Sequence, residues 1–305
     1  LGTDNPKAIL AYWTVAIVWG STYLGLRTCA LHMPPLLAGG IRYTIAGLIL
    51  VILILVKKQS WPSQVRHVKN AAAQGICFFL FSNGLLIWSL QYLEAGVSSL
   101  LVTTTPIFTA LLDSCLPNGL KLSRKGWIGM LISCFGVFLI CRPSLVAGAV
   151  SIKGLIGLFT SALIWGVSSL LAARTPTSGS LWSNIAIQHL SGGIALLVVS
   201  KLLYGSLRFD ADWAVIGSLL YLILFGSIVG YSAFMYLMHH MAPAKAMTYT
   251  YINPLVPITL GGIFLGEHIS SGMIIGGIVT LLGVVLVQSA RTYHTKQAAL
   301  HRRVV

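Results

Sequence analysis

The chain has 305 residues, 56% hydrophobic and only 9% charged, with a mean hydropathy of +0.85. That balance excludes an ordinary water-soluble domain, where about 25% of residues are charged. Lys and Arg outnumber Asp and Glu by 20 to 6, a net charge of +14, and the placement of that charge decides what it means.

A bilayer core takes about twenty apolar residues per helix. Windows of that size follow one another at 8–27, 36–56, 71–92, 96–116, 126–142, 154–173, 181–201, 213–237, 245–265 and 270–290. The fifth is short, and the fourth carries Asp113 near its end. The first runs apolar from Ala8 to Leu26 with no small-x-small site after it, so it reads as a span rather than a signal peptide. Lys57–Asn70 reads as a polar turn, and Pro143 to Lys153 as the linker between two halves. The basic tail after Arg291 is expected to fray.

Trp19-Gly20-Ser21-Thr22-Tyr23-Leu24 recurs in degenerate form as Trp165-Gly166-Val167-Ser168-Ser169-Leu170, 146 positions later, and Pro106 is answered by Pro254. The chain is therefore one unit written twice, 1–145 and 146–290, followed by a basic tail at 291–305. Five spans per unit is odd, so the second copy enters the membrane from the opposite side. The expected fold is an all-α polytopic membrane protein, ten transmembrane helices in two inverted five-helix repeats.

With the N-terminus in the cytoplasm, fourteen basic residues fall on that side and five outside, namely Arg27, Arg142, Lys153, Lys201 and Arg208. The positive-inside rule then places both termini in the cytoplasm. The charge is an orientation signal and an attraction to anionic lipid, not a nucleic-acid surface. Five cysteines (Cys29, Cys77, Cys115, Cys134, Cys141) have no metal or disulfide spacing and read as small apolar filler. No metal, cofactor or catalytic group is expected.

Arg42 lies about two helical turns inside the second span. A cation in hydrocarbon costs several kcal/mol, in order of magnitude, unless it faces a cavity or a partner. Snorkelling to the interface, or pairing with Glu94 or Glu267, is one reading. A guanidinium facing a central cavity, forked on a carboxylate or phosphate, is the other. Gln188, at the equivalent place in the second unit, is polar too and is expected to face it. Trp19 and Trp165 either line a cavity or wedge helices apart, and Tyr23 shares a face with Trp19. Asn83, Trp88, Tyr231, Tyr236, Tyr249 and Asn253 are further wall candidates, although a buried Asn also serves as helix–helix glue.

Pro106, Pro254 and Pro257 interrupt backbone bonding at matching places and suit hinges, or static kinks. Asp113 is either salt-bridged to Lys121, Arg124 or Lys125 or a proton carrier. Glu267 either couples transport or favours the start of the last helix. Histidine is the residue type suited to switching near neutral pH, which makes His189 and the pair His239-His240 candidates, the pair at the cytoplasmic rim reading as interfacial. Gly272-x-x-x-Gly276 promises close helix contact, internal or in a homodimer.

Trp19-Gly20-Ser21-Thr22-Tyr23, Arg42, Tyr92 to Pro106, Ala242-Pro243-Ala244-Lys245-Ala246 running to Asn253-Pro254, and Leu265-Gly266-Glu267 resemble the EamA-type permeases of the drug/metabolite transporter superfamily. The resemblance covers nearly the whole chain. It implies ten helices in inverted repeats and export of small metabolites, often amino acids, from bacterial cytoplasm. One departure stands out: Asn118-Gly119-Leu120 puts no acid where the second unit has Glu267.

The expected function is an inner-membrane exporter of a small carboxylate-bearing metabolite working by alternating access. Its expected partners are the solute and the lipid bilayer. An exporter of drug-like cations with an aromatic cavity is the alternative. An intramembrane enzyme or assembly factor is the rival of another class, and the chain shows no His, Asp or Ser–His cluster at one depth to support it.

Overall fold

The computed structural model describes residues 5–93, 95–117, 119–147, 151–205, 212–256, 271–290 and 292–294. Glu94, Asn118, Pro257 and Glu267 lie outside the described residues. Helices α1 (Pro6–His32), α2 (Pro35–Val56) and α3 (Val65–Ser89) open the first half. Then come α4 (Ala95–Val102), α5 (Thr105–Cys115), strand β1 (Leu120–Leu122) and α6 (Arg124–Ala147). The second half has α7 (Ile152–Arg174), α8 (Leu181–Tyr204), α9 (Trp213–His240), α10 (Pro243–Ala246), a 3₁₀ turn (Met247–Tyr251), α11 (Ser271–Ser289) and strand β2 (Thr292–His294). Six of these, α1, α2, α3, α7, α8 and α9, are long and apolar enough to cross a membrane.

Local chemistry fixes the helix ends. Asn5 accepts the Lys7 N–H at 3.0 Å ahead of Pro6, where proline's missing donor costs nothing. Ser180 and Asp212 accept the N–H groups of Ser183 and Val215 to start α8 and α9. Gly205, left-handed at φ 67°, closes α8. Leu10, Ile17, Leu24 and Leu31, seven apart on α1, are all exposed, while Tyr12, Val15, Ala16 and Tyr23 are buried. Such an outward apolar stripe on a helix of this length suits lipid rather than water.

The duplication is visible in the backbone. α1 and α7 begin 146 residues apart, as do α2 and α8. Within α3 and α9 the hydrogen bonding loosens to π-helix at Ile76–Asn83 and Leu222–Gly230, again starting 146 apart. The halves interlock: α2 packs on α8, α6 on α11, and α3 on both α8 and α7. Glycines allow the closest approaches. A Cβ at Gly40 or Gly47 would press on Leu197 or Leu190 of α8. On α6, one at Gly136 would lie 2.7 Å from the Gly276 carbonyl of α11, so Gly276 of the GxxxG motif serves an internal contact.

Three expectations change. The window at 96–116 is broken, ending as α4 and restarting as α5 through Thr103–Thr104, whose turn is held by the Thr104 and Thr105 hydroxyls on Leu101 and Val102 carbonyls. Pro106 therefore sits in a first turn, where it needs no donor, and does not kink a continuous helix. Pro254 likewise follows the 3₁₀ turn rather than bending a long helix. The helices are also not the whole secondary structure. β1 and β2 pair antiparallel, Lys121 opposite Tyr293, so part of the tail after Arg291 is held against the loop before α6. Finally, α6 runs on to Ala147, past Pro143 where the linker was expected.

Candidate functional site

The π-helical stretches set the site. A wider turn shifts side chains relative to α-helical register, and such irregularities recur at functional positions. On α3 this presents Phe79, Ser82 and Asn83, and on α9 Gly226 and Ser227, to a cavity between the halves. Trp19, Thr22 and Tyr23 of α1, Arg42 of α2, and Ser161 and Trp165 of α7 complete it, with Tyr231, Tyr249 and Asn253. Its volume is about 70 Å³, on a scale where one water needs about 10–15 Å³. The cavity is contracted, with room for a few waters.

Among the described residues, Arg42 is the one charged side chain in that wall. Its side chain is 5% exposed, so it does not snorkel to an interface. Nε donates to Ser227 Oγ at 2.7 Å, and the guanidinium carbon lies 4.9 Å from the centre of the Tyr43 ring. A Cβ at Gly226 would sit 2.6 Å from one terminal guanidinium nitrogen, so this glycine makes the room the group needs. Among the described residues no carboxylate pairs with Arg42; the ion pair found there is Arg174–Asp113.

Aromatic rings close one end. Trp19 and Trp165 meet edge to face at 5.4 Å, and Trp19 donates Nε1–H to the Gly226 carbonyl at 2.9 Å. Phe78 lies 4.8 Å from Trp165 and 5.8 Å from Phe234, and Phe79 lies 4.9 Å from Tyr231. His189 is buried against Tyr43, Phe79 and Tyr231, with Nδ1 on its own Ile185 carbonyl. The two repeated tryptophans thus both line the cavity and wedge helices.

Of the expected wall residues, Trp19, Tyr23, Arg42, Asn83, Trp165, Tyr231, Tyr249 and Asn253 come together there. Gln188 does not face Arg42. It bonds Gln74 across the α3–α8 contact and lines a second cavity. Repeat equivalence carries a residue into the equivalent environment of the other half, not to the same place. Trp88 is elsewhere too, stacked edge-on with Tyr92 at 5.0 Å and filling the space above Gly157. Tyr236 accepts from Asn5 at 3.2 Å and belongs to the second cavity. Thr22, Tyr43, Phe79, Ser82, Ser161 and Ser227 went unnoticed. A cue existed in Ser82-Asn83 and Gly226-Ser227, small polar interruptions of two matched apolar runs.

Asp113 is buried and pairs with Arg174 at the end of α7, not with Lys121, Arg124 or Lys125. Arg174 also donates to the Pro117 carbonyl at 3.1 Å, which ties the end of α5 to the second half. Asp113→Asn is expected to destabilise the protein by about 1–3 kcal/mol, because it leaves a partly buried guanidinium short of its countercharge. Thermal unfolding of the purified variant would read this, and adding Arg174→Gln should recover part of the loss.

A largely apolar cavity holding a buried guanidinium, enclosed by apolar membrane-length helices of two repeated halves, fits a multi-pass membrane transporter. The profile of the EamA-like transporter family matches residues 6–142 and again 152–289, and the chain belongs to that family. The inner membrane transporter YedA of Escherichia coli K12 is 29% identical over 261 residues, spanning 85% of this chain and 83% of its own. Transporter YoaV of Bacillus subtilis is 23% identical, spanning 91% and 95%. A solved crystal structure superposes with a TM-score of 0.74 over 99% of both chains at 17% identity, which supports the fold alone. These names speak for transport and against the enzyme alternative.

Proposed function

We propose that the chain exports a small carboxylate-bearing metabolite, with amino acids as the leading class, from bacterial cytoplasm by alternating access. The single observation that carries this reading is Arg42, buried in a cavity built by both halves with no carboxylate beside it among the described residues. A buried guanidinium is tolerated when an anion completes it. Nε is fixed on Ser227, which leaves the terminal nitrogens to fork on a carboxylate. The aromatic wall suits the apolar remainder of the solute, while the same guanidinium repels a cationic drug. That repulsion disfavours the drug-exporter reading.

The matched element starts support two repeats, which we extend to ten transmembrane helices in inverted halves. The basic residues gathered on one side support both termini in the cytoplasm, and the likeness to an inner membrane transporter supports that membrane. Along α3, α7 and α9 a second cavity follows the first, reached at Gln74, Ala172 and Met235. The aromatic layer of Phe78, Phe79, Tyr231 and Phe234 lies between them and is the barrier that alternating access must open. The backbone breaks at Thr103–Thr104 and around Tyr251–Pro254 are the hinges. Overexpression is expected to protect growing cells from toxic amino-acid analogues and not from quaternary amines. Protection against amines alone would replace this reading with the drug-exporter one.

A further inference from the structure

The second cavity, about 570 Å³, lies between the ends of α7 and α9 and the start of α8. Gln74, Asn184 and Gln188 in its wall are 3%, 6% and 0% exposed. Gln188 Nε2 donates to Gln74 Oε1 at 2.7 Å, and this one bond leaves Gln74 Nε2 and Gln188 Oε1 without partners. Asn184 Nδ2 donates to the Ser178 and Ser180 carbonyls, both at 2.9 Å, and its Oδ1 has no partner either. Turning the two glutamine amides over would change which residue carries which group but not the sum. Two carboxamides sharing one bond always leave one NH₂ and one C=O.

Buried polar groups in folded proteins are nearly all bonded. A pair that only joined α3 to α8 would have no need of a surplus donor and two surplus acceptors on a cavity wall. Asn184 and Gln188 are one helical turn apart, so the two residues share a face of α8. Arg174, His239 and His240 line the same cavity, and no acidic side chain does among the described residues.

We propose that this wall is a second solute site that takes a zwitterionic amino acid. The ammonium donates to Gln188 Oε1 and Asn184 Oδ1, and the carboxylate accepts from Gln74 Nε2. A simple amine would leave the Gln74 Nε2 donor unmet, so a solute that also carries a carboxylate is favoured. The substrate class rests on the function proposed above, but the residues are independent of Arg42.

Saturation binding of radiolabelled L-glutamine to the full chain in lipid nanodiscs tests it. The wild type should bind two equivalents and Arg42→Ala one. Gln74→Leu with Gln188→Leu should also bind one, the Arg42-dependent equivalent, which reports an intact fold. The triple variant should bind at least tenfold more weakly than either. Gln188→Glu adds a negative charge to the acceptors, and should turn the second site at least tenfold toward the diamine putrescine, which a merely structural pair would not do. Binding left unchanged by the glutamine substitutions, or no binding at all, overturns the second site. Two equivalents that both survive Arg42→Ala, one of them lost with the glutamines, overturn the anchoring role of Arg42 instead and leave this site standing.

Discussion

Arg42→Ala is expected to lower counterflow of a carboxylate substrate in proteoliposomes by about 30-fold or more. Truncating one partner of a buried, hydrogen-bonded charge pair costs about 2–5 kcal/mol, and each 1.4 kcal/mol is about tenfold. Arg42→Lys should restore little of this, because an ammonium keeps the charge but loses the fork and the bond that Nε makes to Ser227. The fold should survive and even gain stability, since a buried charge that no carboxylate among the described residues pairs with is a burden in the empty state. A variant that unfolds cannot be confused with one that binds poorly: the first loses its monodisperse elution, the second keeps it. Undiminished carboxylate counterflow in a well-folded Arg42→Ala protein would end the anchoring proposal.

Gly75→Ala is expected to destabilise the protein strongly, by about 3 kcal/mol or more. The new methyl would overlap the Gln188 carbonyl oxygen and lie 2.5 Å from both Gln188 Cα and Ser191 Oγ. Two of those three atoms are backbone, so no rotamer change relieves the clash and α3 must move off α8. Overpacking a yielding core costs about 1–3 kcal/mol, and this contact does not yield. The separation would also break the Ser191 bond to the Ala72 carbonyl and the Gln74–Gln188 bond. Gly217→Ala is the matched control: nothing lies within 4 Å of its Cβ position, and helix propensity there favours alanine by up to about 1 kcal/mol. Equal thermal unfolding of the two variants would show that α3 and α8 are not in such close contact.

The residues legible in the sequence were those whose chemistry conflicts with lipid. Arg42, Asn83, Asn253 and the paired tryptophans stand out against apolar runs, and the cavity gathers all of them. Partners were harder to read. Asp113 has three basic residues within a dozen positions, yet its partner Arg174 is 61 residues away, because helix packing and not chain distance sets which charges meet. Gln188 was misplaced because an offset of 146 specifies equivalence and says nothing about facing. The π-helical stretches need no glycine or proline, and left only the polar interruptions Ser82-Asn83 and Gly226-Ser227 as a cue. The hydroxyls they present, Ser82 and Ser227, were missed with them.

Those two loosened stretches have a historical meaning. A π-turn exchanges good backbone bonds for poorer ones, and two independent origins at the same offset in one polypeptide are improbable. The ancestral single unit therefore carried the irregularity before it was duplicated and fused. Each stretch now lies beside a helix of the other copy, Ser227 against Arg42 and Phe79 against Gly192. The backbone device stayed common property while what lies opposite it diverged, a guanidinium in one place and the bare backbone of a glycine in the other. Ancestral symmetry was kept in the scaffold and lost in the chemistry that faces it.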